Sequence, residues 1–399
     1  MKDALIADFQ RTPVGKYGGL LSNIRPDDLA AATLKALLDR NPGLPAGKID
    51  EVILGCANQA GEDNRNIARF ASLLAGMPVT VPAYTVNRLC ASGMQAVINA
   101  YTLLSSGLTA IVLAGGVESM SRAPYVISKA TKPFDRGLEF SDTSLGARFY
   151  NPALAGQYAP IAMGETAENI AERWHINRED QDAFALLSHN RYMEAHRAGK
   201  FTAELIDLPG LRYKDAGAPK DENVRPDTSL EKLAALKPSF RTPGTVTAGN
   251  AAGLNDGASA LLIGTAQALQ DYGLRPLARI AGATSVGVHP DFMGTGPVPA
   301  IEKLLAQTGL SINDIDLFEI NEAFAVQVLY SITTLGIDPQ RVNVNGGAIA
   351  IGHPLGNSGS RITGHLALEL QRRKARYGIA AMCVGAGQGT AILIENLHY

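Results

Sequence analysis

The stretch Asn87-Arg88-Leu89-Cys90-Ala91-Ser92-Gly93-Met94-Gln95-Ala96 sets a lone cysteine between an extended apolar run, 81–86, and a segment of small and apolar residues, 94–104, that reads as a helix. A thiol at a helix mouth faces unpaired amide donors and the positive end of the backbone dipole, which favour the thiolate. Cys90 is thus a candidate nucleophile, although a small buried thiol at a tight turn has the same look. A second stretch, Asn345-Gly346-Gly347-Ala348-Ile349-Ala350-Ile351-Gly352-His353-Pro354-Leu355-Gly356-Asn357-Ser358-Gly359, lets backbone close around one imidazole. His353 there could take a proton from a thiol, the pairing that activates cysteine for acyl transfer. It could equally be a structural histidine, one of seven in the chain. In Ala381-Met382-Cys383-Val384-Gly385-Ala386-Gly387-Gln388-Gly389 another thiol ends a strand, and the glycines after it offer bare amides able to cradle an oxyanion. A tight hairpin with a buried cysteine fits the same residues. Asn321-Glu322-Ala323-Phe324 offers a side-chain amide for a water or a substrate oxygen, in a residue type that is also common in turns.

These turns need elements to hold them. Strands are expected at 4–9 and 51–55, helices at 29–38 and 67–74, and an apolar strand running into glycines at 110–116. Asp27 and Asp28 stand where an N-cap and first turn belong. From 118 to 244 the rhythm breaks into prolines, glycines, charges and helical islands at 167–174 and 178–196. A connection that long is usually functional, and it reads as an insertion covering the active face and carrying ligand contacts. The alternation then returns: strands at 258–263, 277–284 and 317–320, helices at 299–308 and 358–373, and a hairpin of 379–384 with 390–395. Such alternation argues for an α/β architecture with a buried sheet.

The two ends share a grammar. The series 51–58, 87–93, 110–116 parallels 316–324, 345–359, 380–387: strand, small-residue turn opening a helix, apolar strand into glycines. A duplication would bring the Cys90 and His353 turns together across a pseudo-twofold axis. The implied domains are an N-terminal half at 1–117 completed by part of 245–270, the loop domain at 118–244, and a C-terminal half at 271–399.

The 399 residues suffice for two domains or one duplicated body. With 46% hydrophobic and 19% charged residues and a formal net charge of −2, nothing calls for nucleic acid or a membrane surface. An anionic ligand must meet a local basic patch. Cys56, Cys90 and Cys383 lie far apart, with no zinc or redox spacing, which suits a reducing compartment and predicts no metal site. No signal peptide, membrane-spanning run or peroxisomal ending is legible, so the expectation is a cytoplasmic protein.

Taken together, the four constellations resemble the thiolases, which make or break a carbon–carbon bond beside a thioester carbonyl. The resemblance runs from Arg11-Thr12-Pro13 to the last strand. It includes Gly115-Gly116-Val117-Glu118-Ser119-Met120-Ser121 and Thr245-Val246-Thr247-Ala248-Gly249-Asn250-Ala251-Ala252-Gly253-Leu254-Asn255-Asp256-Gly257-Ala258. It implies a duplicated αβ core layered α-β-α-β-α with a long inserted loop domain. It also implies ping-pong chemistry: Cys90, deprotonated by His353, attacks the keto carbon of a 3-ketoacyl-CoA, and Cys383 protonates the departing acetyl-CoA enolate. Free CoA then collects the acyl group. One oxyanion hole would be His353 with a water held by Asn321, the other the amides of Cys90 and Gly385. CoA is implied as a substrate, with no tightly bound cofactor, and the chain as a homodimer or homotetramer.

The same resemblance puts Arg225 near the nucleotide and Met163, Ala248, Phe240 and Phe324 along the pantetheine tunnel. Two positions depart from common patterns. Ala252 stands where many thiolases carry serine, and Ala162 stands where acetoacetyl-CoA-specific members carry histidine before Met163-Gly164. Loops at 55–66, 142–146 and 149–152 look like those of degradative thiolases that cleave 3-oxoadipyl-CoA in aromatic catabolism, and Cys56 is structural on this reading. The alternatives are a biosynthetic acetyl-CoA acetyltransferase making acetoacetyl-CoA, and a thiolase-like CoA or lipid carrier without the chemistry. A carrier would be expected to lose Cys90, His353 or Cys383, and all three are present. A papain-like peptidase lacks its local cysteine signature here.

Overall fold

Apolar runs such as Ile111–Ser119 and Asn255–Gly264, buried at every position, satisfy their backbone only between neighbours in a sheet covered on both faces. The computed structural model describes residues 2–208, 211 and 219–399. Its strands are β1 (Leu5–Arg11), β2 (Gly15–Lys16), β3 (Glu51–Gly55), β4 (Ala83–Val86), β5 (Ile111–Ser119), β6 (Tyr125–Ile127), β7 (Phe140–Asp142), β8 (Asn255–Gly264), β9 (Ala278–Gly287), β10 (Leu317–Ile320), β11 (Tyr377–Val384) and β12 (Gln388–Asn396). Ten form one sheet in the order β10-β11-β12-β9-β1-β8-β5-β3-β4, with β2 beside β8.

The sheet is two copies of one pattern. In the first, β4 and β3 run parallel, β3 and β5 parallel, β5 and β8 antiparallel, and β8 and β1 antiparallel. In the second, β10 and β11 run parallel, β11 and β12 antiparallel, and β12 and β9 antiparallel. A lone parallel bridge from Phe318 to Val342 stands where β4 stands in the first copy. Within the sheet the copies are joined by the pairs Leu5 with Arg279 and Ile6 with Ala278.

Five layers follow. The helices Ser92–Ser106 and Leu355–Arg373 pack on each other and on both half-sheets, forming a central layer around Met94, Val97, Ile362 and Leu366. Helices Pro26–Arg40 and Ile67–Leu74 cover the first half-sheet, and Pro297–Thr308 the second. The duplicated core expected from the sequence is therefore present, and its two central helices start at the Cys90 and His353 turns.

Three local features differ from expectation. The first helix begins with Arg25 at the N-cap and Pro26 at the first helical position, so Asp27 and Asp28 both fall in its first turn. Proline's fixed φ and missing N–H suit that start. The helix Ala325–Leu335 was not anticipated, because its valines, isoleucine and threonines carry no helical signal. The small β6–β7 hairpin, inside the inserted segment, was not anticipated either.

Candidate active site

Side-chain hydrogen bonds shape the turn between β4 and the first central helix. Asn87 Oδ1 accepts from the Leu89 amide at 2.8 Å. Ser92 Oγ accepts from the Arg88 amide at 2.9 Å and donates to the Leu89 carbonyl at 2.6 Å. These bonds hold Leu89 at φ 47°, a left-handed conformation that costs a branched residue on the order of 1–3 kcal/mol and that clusters at functional sites. Cys90 follows, half-buried.

Burial pushes the Cys90 thiol up to about 11; the Gly385 amide and its own amide pull it down, and the Glu118 carboxylate adds to the rise. The expectation that the helix mouth would favour the thiolate is thus corrected: desolvation outweighs the amides, and at neutral pH the sulfur keeps its proton. The converging amides remain informative. Gly385 opens the turn after β11, where Ala386 is again left-handed at φ 60°, and its N–H is aimed at the Cys90 sulfur.

Cys383 lies two residues before Gly385 on β11, 2% exposed, with Sγ 3.8 Å from Gln327 Oε1. Burial, and then the nearby Cys90, push its thiol far above the ordinary range. Each sulfur lies close enough to Cys90 or Cys383, its counterpart, that both cannot be anionic together without repulsion.

His353 is buried at the entrance of the second central helix. Its amide donates to Asn255 Oδ1 at 2.9 Å, and its Nδ1 lies 2.6 Å from Ser358 Oγ. The Ser358 hydroxyl donates to the Pro354 carbonyl at 2.9 Å, so at Nδ1 it must accept. The hydrogen-bond pattern therefore assigns the ring proton to Nδ1 and leaves Nε2 with a lone pair. Burial, aided by the Arg361 charge, lowers the imidazole to about 3, so it is neutral. Asn321 Nδ2 stands 3.5 Å from both ring nitrogens, and Asn321 Oδ1 is buried with no partner among the described residues.

The two turns adjoin because the central helices touch through backbone. A Cβ on Gly93 would come within 2.6 Å of the Gly356 carbonyl oxygen and 2.7 Å of Ser360 Oγ. Glu118, at the end of β5, clamps the same junction by accepting from the Ala57, Asn58 and Gly356 amides at 2.9, 3.0 and 2.8 Å. Burial raises its carboxyl to about 7 against the pull of those amides. Ser358, Gln327, Asn255 and Glu118 were not singled out from the sequence for these parts. Only Ser358, one turn beyond His353, carried a local signal.

A cavity of about 330 Å³ opens on Cys90. Its wall includes Leu89, Gly385 and Met163, and the segment Thr143–Arg148 with Tyr150 from the insertion. Of the residues expected to contact CoA, Met163, Phe240, Phe324 and Ala252 gather together. Phe240 meets Phe324 edge-to-face at 6.2 Å and packs on Gly164, and the Ala252 amide donates to the Ala323 carbonyl at 3.0 Å. Phe324 shares an apolar cluster with Cys383. Ala248 is exposed. Arg225 is exposed on the inserted segment, outside the cavity wall, and its amide donates to His189 Nδ1 at 3.3 Å. Among the described residues no cluster of three or more His, Cys, Asp or Glu could hold a metal ion, and no helix is long and apolar enough to cross a membrane.

Comparison with known proteins covers both halves. The thiolase N-terminal domain matches residues 4–267 and the thiolase C-terminal domain residues 274–396. A beta-ketoadipyl-CoA thiolase of Pseudomonas aeruginosa is 51% identical, over 99% of this chain and 100% of that protein. The 3-oxoadipyl-CoA/3-oxo-5,6-dehydrosuberyl-CoA thiolase of Escherichia coli K12 is also 51% identical, over 100% of each. Among solved structures, an acetyl-CoA acetyltransferase of Bacillus anthracis superposes with a TM-score of 0.92 at 43% identity, covering 100% of this chain and 99% of that one. Human mitochondrial 3-ketoacyl-CoA thiolase in complex with CoA superposes with a TM-score of 0.91 at 41% identity, covering 99% and 98%.

Proposed function

The chain belongs to the thiolase family, and from that premise we propose that its substrate is 3-oxoadipyl-CoA, which it cleaves with CoA into succinyl-CoA and acetyl-CoA. As an acyltransferase of this family it splits a 3-ketoacyl-CoA thiolytically. The dicarboxylic substrate is carried by the relatives named above, about half identical to this chain over its whole length.

In the mechanism we assign, His353 Nε2 takes the proton of Cys90, and the thiolate attacks the keto carbon while its oxygen turns toward the Cys90 and Gly385 amides. The bond between C2 and C3 breaks, its electron pair forming the enolate of acetyl-CoA. That enolate is stabilised by protonated His353 and a water on Asn321, and takes its proton from Cys383. The incoming CoA thiol then yields its proton to the Cys383 thiolate and attacks the succinyl-cysteine. The departing Cys90 recovers its proton from His353. Arg225, Met163, Ala248, Ala252, Phe240 and Phe324 are proposed to hold the nucleotide and pantetheine of CoA, a substrate and not a bound cofactor.

The observation that supports this most is the convergence of the Gly385 amide and a second thiol on Cys90. Donors aimed at developing negative charge are the largest single contribution in acyl-transfer catalysis. A cytoplasmic homodimer or homotetramer goes with this reading. The association is supported by the half-covered edge strand β4 and the exposed Phe70, Leu73, Leu74 and Val79 on and after the neighbouring helix. The test is kcat/KM for thiolysis of 3-oxoadipyl-CoA against acetoacetyl-CoA. The diacid should be preferred by at least about tenfold, the scale of one hydrogen bond to a charged group. A preference for acetoacetyl-CoA would overturn the substrate assignment and favour the acetyltransferase alternative.

A further inference from the structure

We propose that Arg148 reads the distal carboxylate of the acyl chain carried by Cys90, and so makes the enzyme selective for dicarboxylic 3-ketoacyl groups. The proposal rests on the 3-oxoadipyl-CoA reading above and gives it a residue. Arg148 and Cys90 stand on the wall of the same cavity, and Arg148 is the one lysine, arginine or histidine among the residues that line it. Much of that wall is hydrocarbon: Leu89, Met120, Leu145, Ile161 and Met163 among others. A neutral acyl chain has no use for a cation there, and a cation on a largely apolar wall is unfavourable without a partner.

Arg148 is half-buried, and no hydrogen bond or ion pair joins its guanidinium to any other described residue. Its polar neighbours are already engaged. Asn58 Nδ2 donates to Thr143 Oγ1 at 2.9 Å, and Thr143 Oγ1 donates to the Pro124 carbonyl at 2.6 Å. The Tyr150 hydroxyl donates to the Tyr158 carbonyl at 3.2 Å. Two carboxylates also line the cavity, and neither is its counterion. Glu118 is held by three amides, and Asp291 Oδ2 lies 3.9 Å from His289 Nδ1. Neither offers a partner to a carboxylate, so the favourable contact for the distal end of a dicarboxylic chain is Arg148. The geometry of the ligand agrees: two methylenes separate the reacting carbon of a 3-oxoadipyl group from its carboxylate, so the cation must share a cavity with the nucleophile. A planar guanidinium is also the group best matched to bidentate contact with a carboxylate.

The test compares wild type, Arg148→Gln and Arg148→Lys on 3-oxoadipyl-CoA and on 3-oxohexanoyl-CoA, the same carbon skeleton ending in a methyl group. Arg148→Gln should lower kcat/KM for the diacid by about 10- to 100-fold, the scale of losing a hydrogen bond between charged groups, with the neutral substrate unchanged. Arg148→Lys should fall between. An equal loss on both substrates would mean a structural role, and a diacid preference untouched in Arg148→Gln would assign the preference elsewhere; either result overturns the proposal while leaving the substrate reading intact. A wild-type enzyme that accepts 3-oxohexanoyl-CoA but not 3-oxoadipyl-CoA would overturn both together.

Discussion

At Cys90 the proton rests on sulfur, and at His353 the nitrogen proposed as the base rests empty. The proposed pair is a neutral thiol and a neutral imidazole, with the sulfur at about 11 and the ring at about 3. Iodoacetamide reads this state directly because only the thiolate reacts. The inactivation rate should climb about tenfold per pH unit from neutrality toward pH 10 without levelling, since the thiolate fraction keeps rising until the pKa is passed. His353 stays unprotonated over that range and adds no inflection. Saturation with an acyl-CoA should protect the thiol. A plateau near neutral pH would show a preformed thiolate–imidazolium pair and refute the neutral resting state. Residue types at Cys90, His353, Cys383 and Asn321 are legible in the chain because Cys90 and His353 sit in turns of small residues and Cys383 and Asn321 stand at or just past the end of an apolar strand. Their protonation is not, because burial depends on what the fold brings overhead. The ring tautomer likewise depends on where the Ser358 hydroxyl hydrogen points, and that only the folded helix start decides.

Between the elements, the site depends on how closely the two central helices approach. Gly93 in the first and Gly356 to Ser360 in the second are in backbone contact, and the turns carrying Cys90 and His353 emerge from that crossing. Gly93→Ala puts a methyl group against the Gly356 carbonyl oxygen, which cannot rotate away. Overpacking of this kind costs about 1–3 kcal/mol. The variant should therefore unfold at lower urea, and kcat should fall further than stability alone accounts for, since the Cys90 turn must move with the helix. Gly287→Ala, where nothing lies within 4 Å of the added carbon, is the control and should leave both quantities unchanged. Activity in Gly93→Ala equal to that control would show that the crossing does not set the site. Apolar runs made β3, β5 and β10 readable in place, and the parallel series of turns made the duplication readable. The helix Ala325–Leu335 was not readable, since its β-branched residues fit a strand as well and only packing against neighbours decides.

For the whole molecule, the question is what fastens the inserted segment over the core. Arg11, at the end of β1, is fully buried and donates through Nε to Glu204 at 2.7 Å and through both terminal nitrogens to Asp221 at 2.7 and 3.0 Å. From the second central helix, His365 Nδ1 meets Glu204 at 2.8 Å. Two carboxylates of the insertion are thus tied to one cation and one imidazole of the core. Arg11-Thr12-Pro13 was visible as a stretch typical of the family, but its role was not, because its partners lie 193 and 210 residues away. Burial would raise the Glu204 carboxyl, yet His365 and Arg11 outweigh it and bring it down to about 2 from 4.5. A depressed carboxyl contributes stability that is present above its unfolded value and is lost as pH falls through the folded one. Arg11→Met removes the cation and strands both carboxylates, which should lower the free energy of urea unfolding by about 3–5 kcal/mol at neutral pH, the scale of breaking a buried pair. With its partner gone, Glu204 takes up a proton more readily, and each proton bound relieves the stranded charge. The gap between variant and wild type should therefore narrow as pH is lowered from neutrality toward 4.5, measured by urea unfolding at each pH. A gap of constant size would mean that Arg11 contributes through the packing of its side chain on Phe201, 5.5 Å away, and not through its charge.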